Sequence, residues 1–136
     1  MISAISNRGS LTFMIYKTSF NTKVFLAFLK RLTRDRKEKV FLIVDQHPVH
    51  KAKCVYKWLS ENRNKIQLFY LPGYCPELNP DELLNQDIKT NAIGKQRARC
   101  QDELMKNVRA RLKSIQGRPL FVRKFFHKKS VRYAAI

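Results

Sequence analysis

The sequence predicts a mixed α/β fold, and three observations carry the prediction. An alternating run, "SLTFMIY" at 10–16, has Leu11, Phe13 and Ile15 on one side and Thr12, Met14 and Tyr16 on the other, the period of a strand with two distinct faces. "VFLIV" at 40–44 is apolar at every position and bounded by charge, which reads as a central strand covered on both faces. Between such runs lie stretches with helical spacing, so that strand, helix, strand, helix and strand follow in order. Right-handed crossovers then make the strands at 40–44 and 65–72 a parallel pair beside a hairpin.

The elements follow in order. "ISAI" at 2–5 and the run at 10–16 flank "SNRG", where Gly9 supplies the positive φ of a tight turn. Asn21 is a helix cap, and Val24, Phe25, Phe28, Leu29 and Leu32 recur at helical spacing after it. A second helix is expected from about Lys51 to Asn62, burying Val55, Trp58 and Leu59. "KIQLFYLP" closes the next strand with Pro72 and Gly73. A third helix starts near Asp81. A fourth carries Leu104, Val108, Leu112 and Ile115 on one stripe and ends at Gly117 and Pro119, before a basic aromatic tail.

Length and charge bound the function. The chain has 136 residues, about one domain's worth, and 44% of them are hydrophobic, enough for a modest core. Lys and Arg number 28 against 10 Asp and Glu, a formal net charge of +18. That excess points to a polyanion, nucleic acid first. From Lys89 to Ile136 the only acids are Asp102 and Glu103, against 14 basic residues. Lys51, Lys53, Lys89, Arg97, Arg99, Arg109 and Lys113 are the candidate phosphate contacts. Three widely spaced cysteines without a CxxC suit a reducing compartment. With no signal-peptide core and no apolar window long enough for a span, the expected location is the cytoplasm, with no membrane partner.

Two acids stand out. Asp45 ends the apolar run of "VFLIVDQHPVHKAK", where ligands of open α/β sheets collect. It either caps the following helix or meets a ligand. His47 and His50 are three apart, but no further soft ligand has zinc-site spacing. In "PELNPDELLNQDIK", Asn79 reads as a cap, Pro80 as the first helical residue and Glu82 as the third. Glu82 either bonds back to the Asn79 amide as a capping box or presents a fixed carboxylate. Two such carboxylates in a very basic protein fit Mg²⁺ and phosphodiester chemistry.

"LIVDQHPVHKAK" followed by "IQLFYLPGYCPELNPDELLNQDIK" resembles the mariner-type DDE transposases, particularly those of bacterial insertion sequences. That family carries an Asp-Asn-x-x-x-His block at a strand end, then Leu-Pro-x-Tyr-Ser-Pro-Glu-Leu-Asn-Pro-x-Glu. The resemblance implies an RNase H-like mixed sheet flanked by helices, and Mg²⁺ or Mn²⁺ as cofactor. It makes Asp45 and Glu82, with 36 residues between them, the second and third catalytic acids and metal ligands. It assigns positioning roles to His50, Asn79 and Pro80. Gln46 replaces the family's Asn, Cys75 its Ser, and Asn85 stands where Trp is common.

The family's first Asp sits on a strand before the hairpin, and neither Asp35 nor Glu38 substitutes for it. The expected object is therefore the C-terminal part of a transposase catalytic domain lacking its first strand. Residues 1–92 would be the partial RNase H-like domain and 93–136 its basic helical extension. Such a chain leaves the strand at 40–44 with a bare apolar edge, an aggregation liability. The implied partners are DNA, as transposon ends and target, and either a second copy or an upstream transposase fragment. The competing reading is a catalytically inactive remnant that binds DNA non-specifically.

Overall fold

The computed structural model describes residues 1–34, 36–73, 75–95 and 97–135. Asp35, Tyr74, Gln96 and Ile136 lie outside the described residues, and with them the weighing of Asp35 and the tyrosine of the second motif. The chain divides into two compact units, Tyr16–Asn79 and Met1–Ile15 with Pro80–Ile136.

The second of these holds a hairpin and the later helices. Strands β1 (Ile2–Ile5) and β2 (Leu11–Met14) pair antiparallel, with Ile2 opposite Met14. Gly9 turns the chain at φ +98°, a conformation that favours glycine. A β-carbon there would also lie 2.6 Å from the Pro119 carbonyl oxygen. The alternation of β2 places Leu11 in a core with Leu84, Ile88, Ala92, Val108, Leu112, Ile115 and Val122. Those residues come from α3 (Asp81–Ile88), the π-helical turn that extends it (Lys89–Ile93), α4 (Gln101–Gln116) and α5 (Pro119–Lys124). The four, four and three spacing of α4 is thus a buried stripe, and Gln116 Nε2 bonds the Leu11 carbonyl at 2.7 Å. Pro119 does more than end α4. It occupies the first position of α5, where its fixed φ suits a helix start.

In the unit Tyr16–Asn79, α1 (Thr22–Thr33) starts as expected, with Asn21 Oδ1 accepting from the Val24 amide at 2.9 Å. Phe25, Phe28, Leu29 and Leu32 are its buried residues. Strands β3 (Val40–Val44) and β4 (Ile66–Tyr70) are parallel, Val44 opposite Tyr70. The expected helix at 51–62 is a 3-10 turn (Pro48–Lys51) followed by α2 (Lys53–Glu61), broken at Ala52, where ψ is 148°.

Two expectations fail. Among the described residues the hairpin and the parallel pair form separate two-stranded sheets rather than one mixed sheet. β3 is also not covered on both faces: Phe41 is 64% exposed and Ile43 39%, while Val44 is buried. An unbroken apolar run shows that a strand can be covered twice, but a packing partner on each face is what covers it. Phe41 and Phe69 meet each other instead, with ring centroids 6.1 Å apart.

Candidate active site

Asp45 follows β3 directly, and its carboxylate is bent back onto the chain. Oδ1 accepts from the His47 amide at 3.0 Å, a local turn that satisfies one oxygen and leaves the side chain 58% exposed. Asp45 therefore shapes the 3-10 turn rather than capping α2. His47 continues the turn, its Nδ1 accepting from the Val49 amide at 3.1 Å.

His50 is 8% exposed and sits in an aromatic nest, 4.5 Å from the Phe25 ring centroid and 5.9 Å from that of Phe20. Its Nδ1 lies 3.0 Å from the Asp45 carbonyl oxygen and 3.2 Å from Oδ1. Burial pushes the imidazole below its ordinary range, against the raising pull of the bond to Asp45 and of the Asp45 charge. A neutral ring with its proton on Nδ1 satisfies both contacts. His50 thus contacts both the backbone carbonyl and the carboxylate of Asp45.

Three residues that sequence reasoning left out complete this end of β3. Gln46 donates from Nε2 to the Leu71 carbonyl at 2.9 Å and accepts from Lys51 Nζ at 3.0 Å. Tyr70 donates to the His50 carbonyl at 3.1 Å. Burial, then its hydrogen bond with Tyr56, pushes its hydroxyl up to about 12. Phe20 lies between the histidines, 5.2 Å from the His47 ring. The amide kept at position 46 was the legible signal. The partners of Tyr70 and Phe20 are set by tertiary packing.

Glu82 lies in the first turn of α3, where the helix dipole favours a carboxylate, and it is half-buried. The capping box expected for it does not form. The Asn79 amide donates instead to the Pro76 carbonyl at 3.0 Å, closing the 3-10 turn Pro76–Leu78. Asn79 ends that turn, Pro80 is the N-cap of α3, and the Leu83 amide returns to the Pro80 carbonyl at 3.1 Å. Asp81 anchors the turn that carries Glu82, accepting from Ser3 Oγ at 2.8 and 3.0 Å. Burial pushes Asp81 up to about 7, the Ser3 bond pulls it back, and the neighbouring Glu82 charge raises it further. At the far end of α3, Asp87 takes a fork from Arg111, Nε to Oδ1 at 2.7 Å and the terminal nitrogen to Oδ2 at 2.8 Å.

Asp45, His50 and Asn79 belong to the unit Tyr16–Asn79, and Pro80 and Glu82 to the other. The seven candidate phosphate contacts are all exposed, Lys51 and Lys53 in the first of these units and Lys89, Arg97, Arg99, Arg109 and Lys113 in the second. Both acids offer hard oxygen donors of the kind Mg²⁺ and Mn²⁺ take, usually one or two carboxylates with water and phosphate. Among the described residues no three His, Cys, Asp or Glu gather into a metal-ligating group.

Comparison with known proteins decides the family. Residues 1–105, which span both motifs, match the family described as DDE superfamily endonuclease. The chain belongs to that family. Over 103 residues, 74% of its length, it is 31% identical to the insertion element IS630 uncharacterized 39 kDa protein of Shigella sonnei, and the aligned part spans 30% of that relative. This likeness to an insertion-element protein bears out the resemblance read from "LIVDQHPVHKAK" and the Asn-Pro-x-Glu motif. No solved structure matches the chain. No helix among the described residues is long and apolar enough to cross a membrane.

Proposed function

We propose that this DDE-family chain serves DNA cleavage and strand transfer by an insertion-sequence transposase, on an RNase H-like fold, with Asp45 and Glu82 as its catalytic acids. The observation that carries the reading is the strand end. Asp45 projects from the carboxyl end of a parallel strand, as ligand-binding groups of open α/β sheets do, with a buried neutral His50 holding it from behind.

In this reading Asp45 and Glu82 are the ligands of Mg²⁺ or Mn²⁺, which when bound supplies Lewis-acid stabilisation of charge at a phosphodiester. The chain's residues do the rest. His50 and the His47 amide hold the Asp45 carboxylate in place. Asn79 and Pro80 set the start of α3, and the Ser3–Asp81 bond steadies the turn that carries Glu82. Lys51, Lys53, Lys89, Arg97, Arg99, Arg109 and Lys113 hold phosphates, giving a steep salt dependence of about −0.9 in log–log slope per phosphate neutralised. A water and then a DNA 3′-hydroxyl attack in line.

A second reading is a remnant that binds DNA without cutting it. Nicking of supercoiled plasmid in Mg²⁺ or Mn²⁺ separates the two. Nicking by the 136-residue chain that stops in EDTA and in Asp45→Ala supports the catalytic reading. DNA binding by a cooperatively folded sample that never nicks supports the remnant.

A further inference from the structure

The free side of β4 carries a groove unrelated to either acid. Tyr56, Leu59 and Arg63 of α2 and its end, with Ile66, Leu68 and Tyr70 of β4, line an open groove of about 270 Å³. No acidic side chain lines it. That volume falls just below the roughly 300–1,000 Å³ of pockets that enclose a drug-sized ligand, so it suits one flat ring.

The chemistry of the walls is specific. Tyr56 is 49% exposed, so one large planar side chain is presented rather than packed away. Tyr70, which lines the same groove, is anchored through its hydroxyl on the His50 carbonyl at 3.1 Å. Lys51 Nζ stands 5.2 Å from the Tyr70 ring centroid, and Arg63 contributes a second cation. β4 pairs with β3 alone among the described residues. Its Lys65 carbonyl and Leu71 amide bond β3, so by the alternation of a parallel ladder the backbone N–H and C=O of Leu68 face the open edge. Exposed ring faces beside cations are the parts from which single-stranded nucleic-acid platforms are built.

We propose that the α2–β4 groove binds an unpaired nucleobase of a DNA strand, the base lying against Tyr56 and an adjoining phosphate meeting Arg63. The choice of DNA over an extended peptide follows from charge: the chain carries +18, and the groove is lined by Arg63 and no acid. The proposal rests on the DNA partner of the preceding section, but not on its metal ligands. The groove and Asp45 belong to the same unit, and Tyr70 links the groove to the His50 carbonyl.

The test is fluorescence anisotropy of the 136-residue chain with a labelled oligothymidylate of about 12 nucleotides, within the size range of such sites. Tyr56→Ala should weaken binding roughly tenfold, the effect of one lost stacking contact. Tyr56→Phe, which keeps the ring, should bind nearly as the native chain does. Arg63→Gln should lower the salt slope by about 0.7, one phosphate on a single strand. Lys23→Gln, on an exposed position of α1, should leave the Tyr56 effect in place. Cross-linking from a 5-iodouracil oligonucleotide should fall on Tyr56 or its neighbours, a readout that needs no variant. Binding unchanged in Tyr56→Ala, cross-links confined to the helices after Pro80, or a groove that takes up peptide in preference to oligonucleotide overturns the proposal. The nicking reading then still stands. Failure of the native chain to bind any DNA overturns both.

Discussion

Leu112→Ala will lower the stability of the unit that carries Glu82 by about 2–5 kcal/mol, read as a shift in the denaturant midpoint. Leu112 is fully buried midway along α4, in the cluster that joins Leu11 of the hairpin to Leu84 and Ile88 of α3. Truncation removes the transfer energy of the side chain and leaves a cavity bounded by three elements, none of which can close it alone. Its sequence neighbour gives the contrast. Lys113 is exposed, and Lys113→Ala should stay within about 0.5 kcal/mol of the native chain.

Arg111→Ala will cost about 2–4 kcal/mol by a different route. The Asp87 side chain is 12% exposed and that of Arg111 25%, so the fork between them is mostly withdrawn from water. Removing the guanidinium leaves a nearly buried carboxylate without its partner, the costly way to break such a pair. The quarter of Arg111 that water reaches keeps the loss below that of a fully buried pair. Arg111 also lies 5.8 Å from the Phe121 ring centroid, so some packing goes with the charge. Asp87→Asn with Arg111→Met should recover much of the loss, since it leaves no charge buried alone. A double variant as unstable as Arg111→Ala would show that packing, not the unpaired carboxylate, sets the cost.

What could be read from the sequence was local. Asn21 and Val24, Gly9 and its turn, and the stripe on α4 depend on neighbours within one or two turns, and the structure forms each of them. Asp45 and His50 were singled out within one short block, and five residues apart they meet. The misses depend on distant partners. Whether "VFLIV" is covered twice depends on what packs against each face. Glu82 lost its capping box because the preceding Pro76–Leu78 turn claims the Asn79 amide, a competition between two local motifs that both look sound in isolation. Ser3 with Asp81 and Arg111 with Asp87 are separated by 78 and 24 residues, and no spacing rule pairs them. Tyr70 read only as a strand residue, because its role as a prop for His50 exists only once β3 and β4 are in register.

Titration of Mn²⁺ into the 136-residue chain, followed by calorimetry, tests whether Asp45 and Glu82 are both metal ligands without requiring turnover. Saturable binding should weaken at least about tenfold in Asp45→Ala and in Glu82→Ala alike, with both variants still folded. Native affinity in either variant, or no saturable binding by the folded chain, would contradict that assignment.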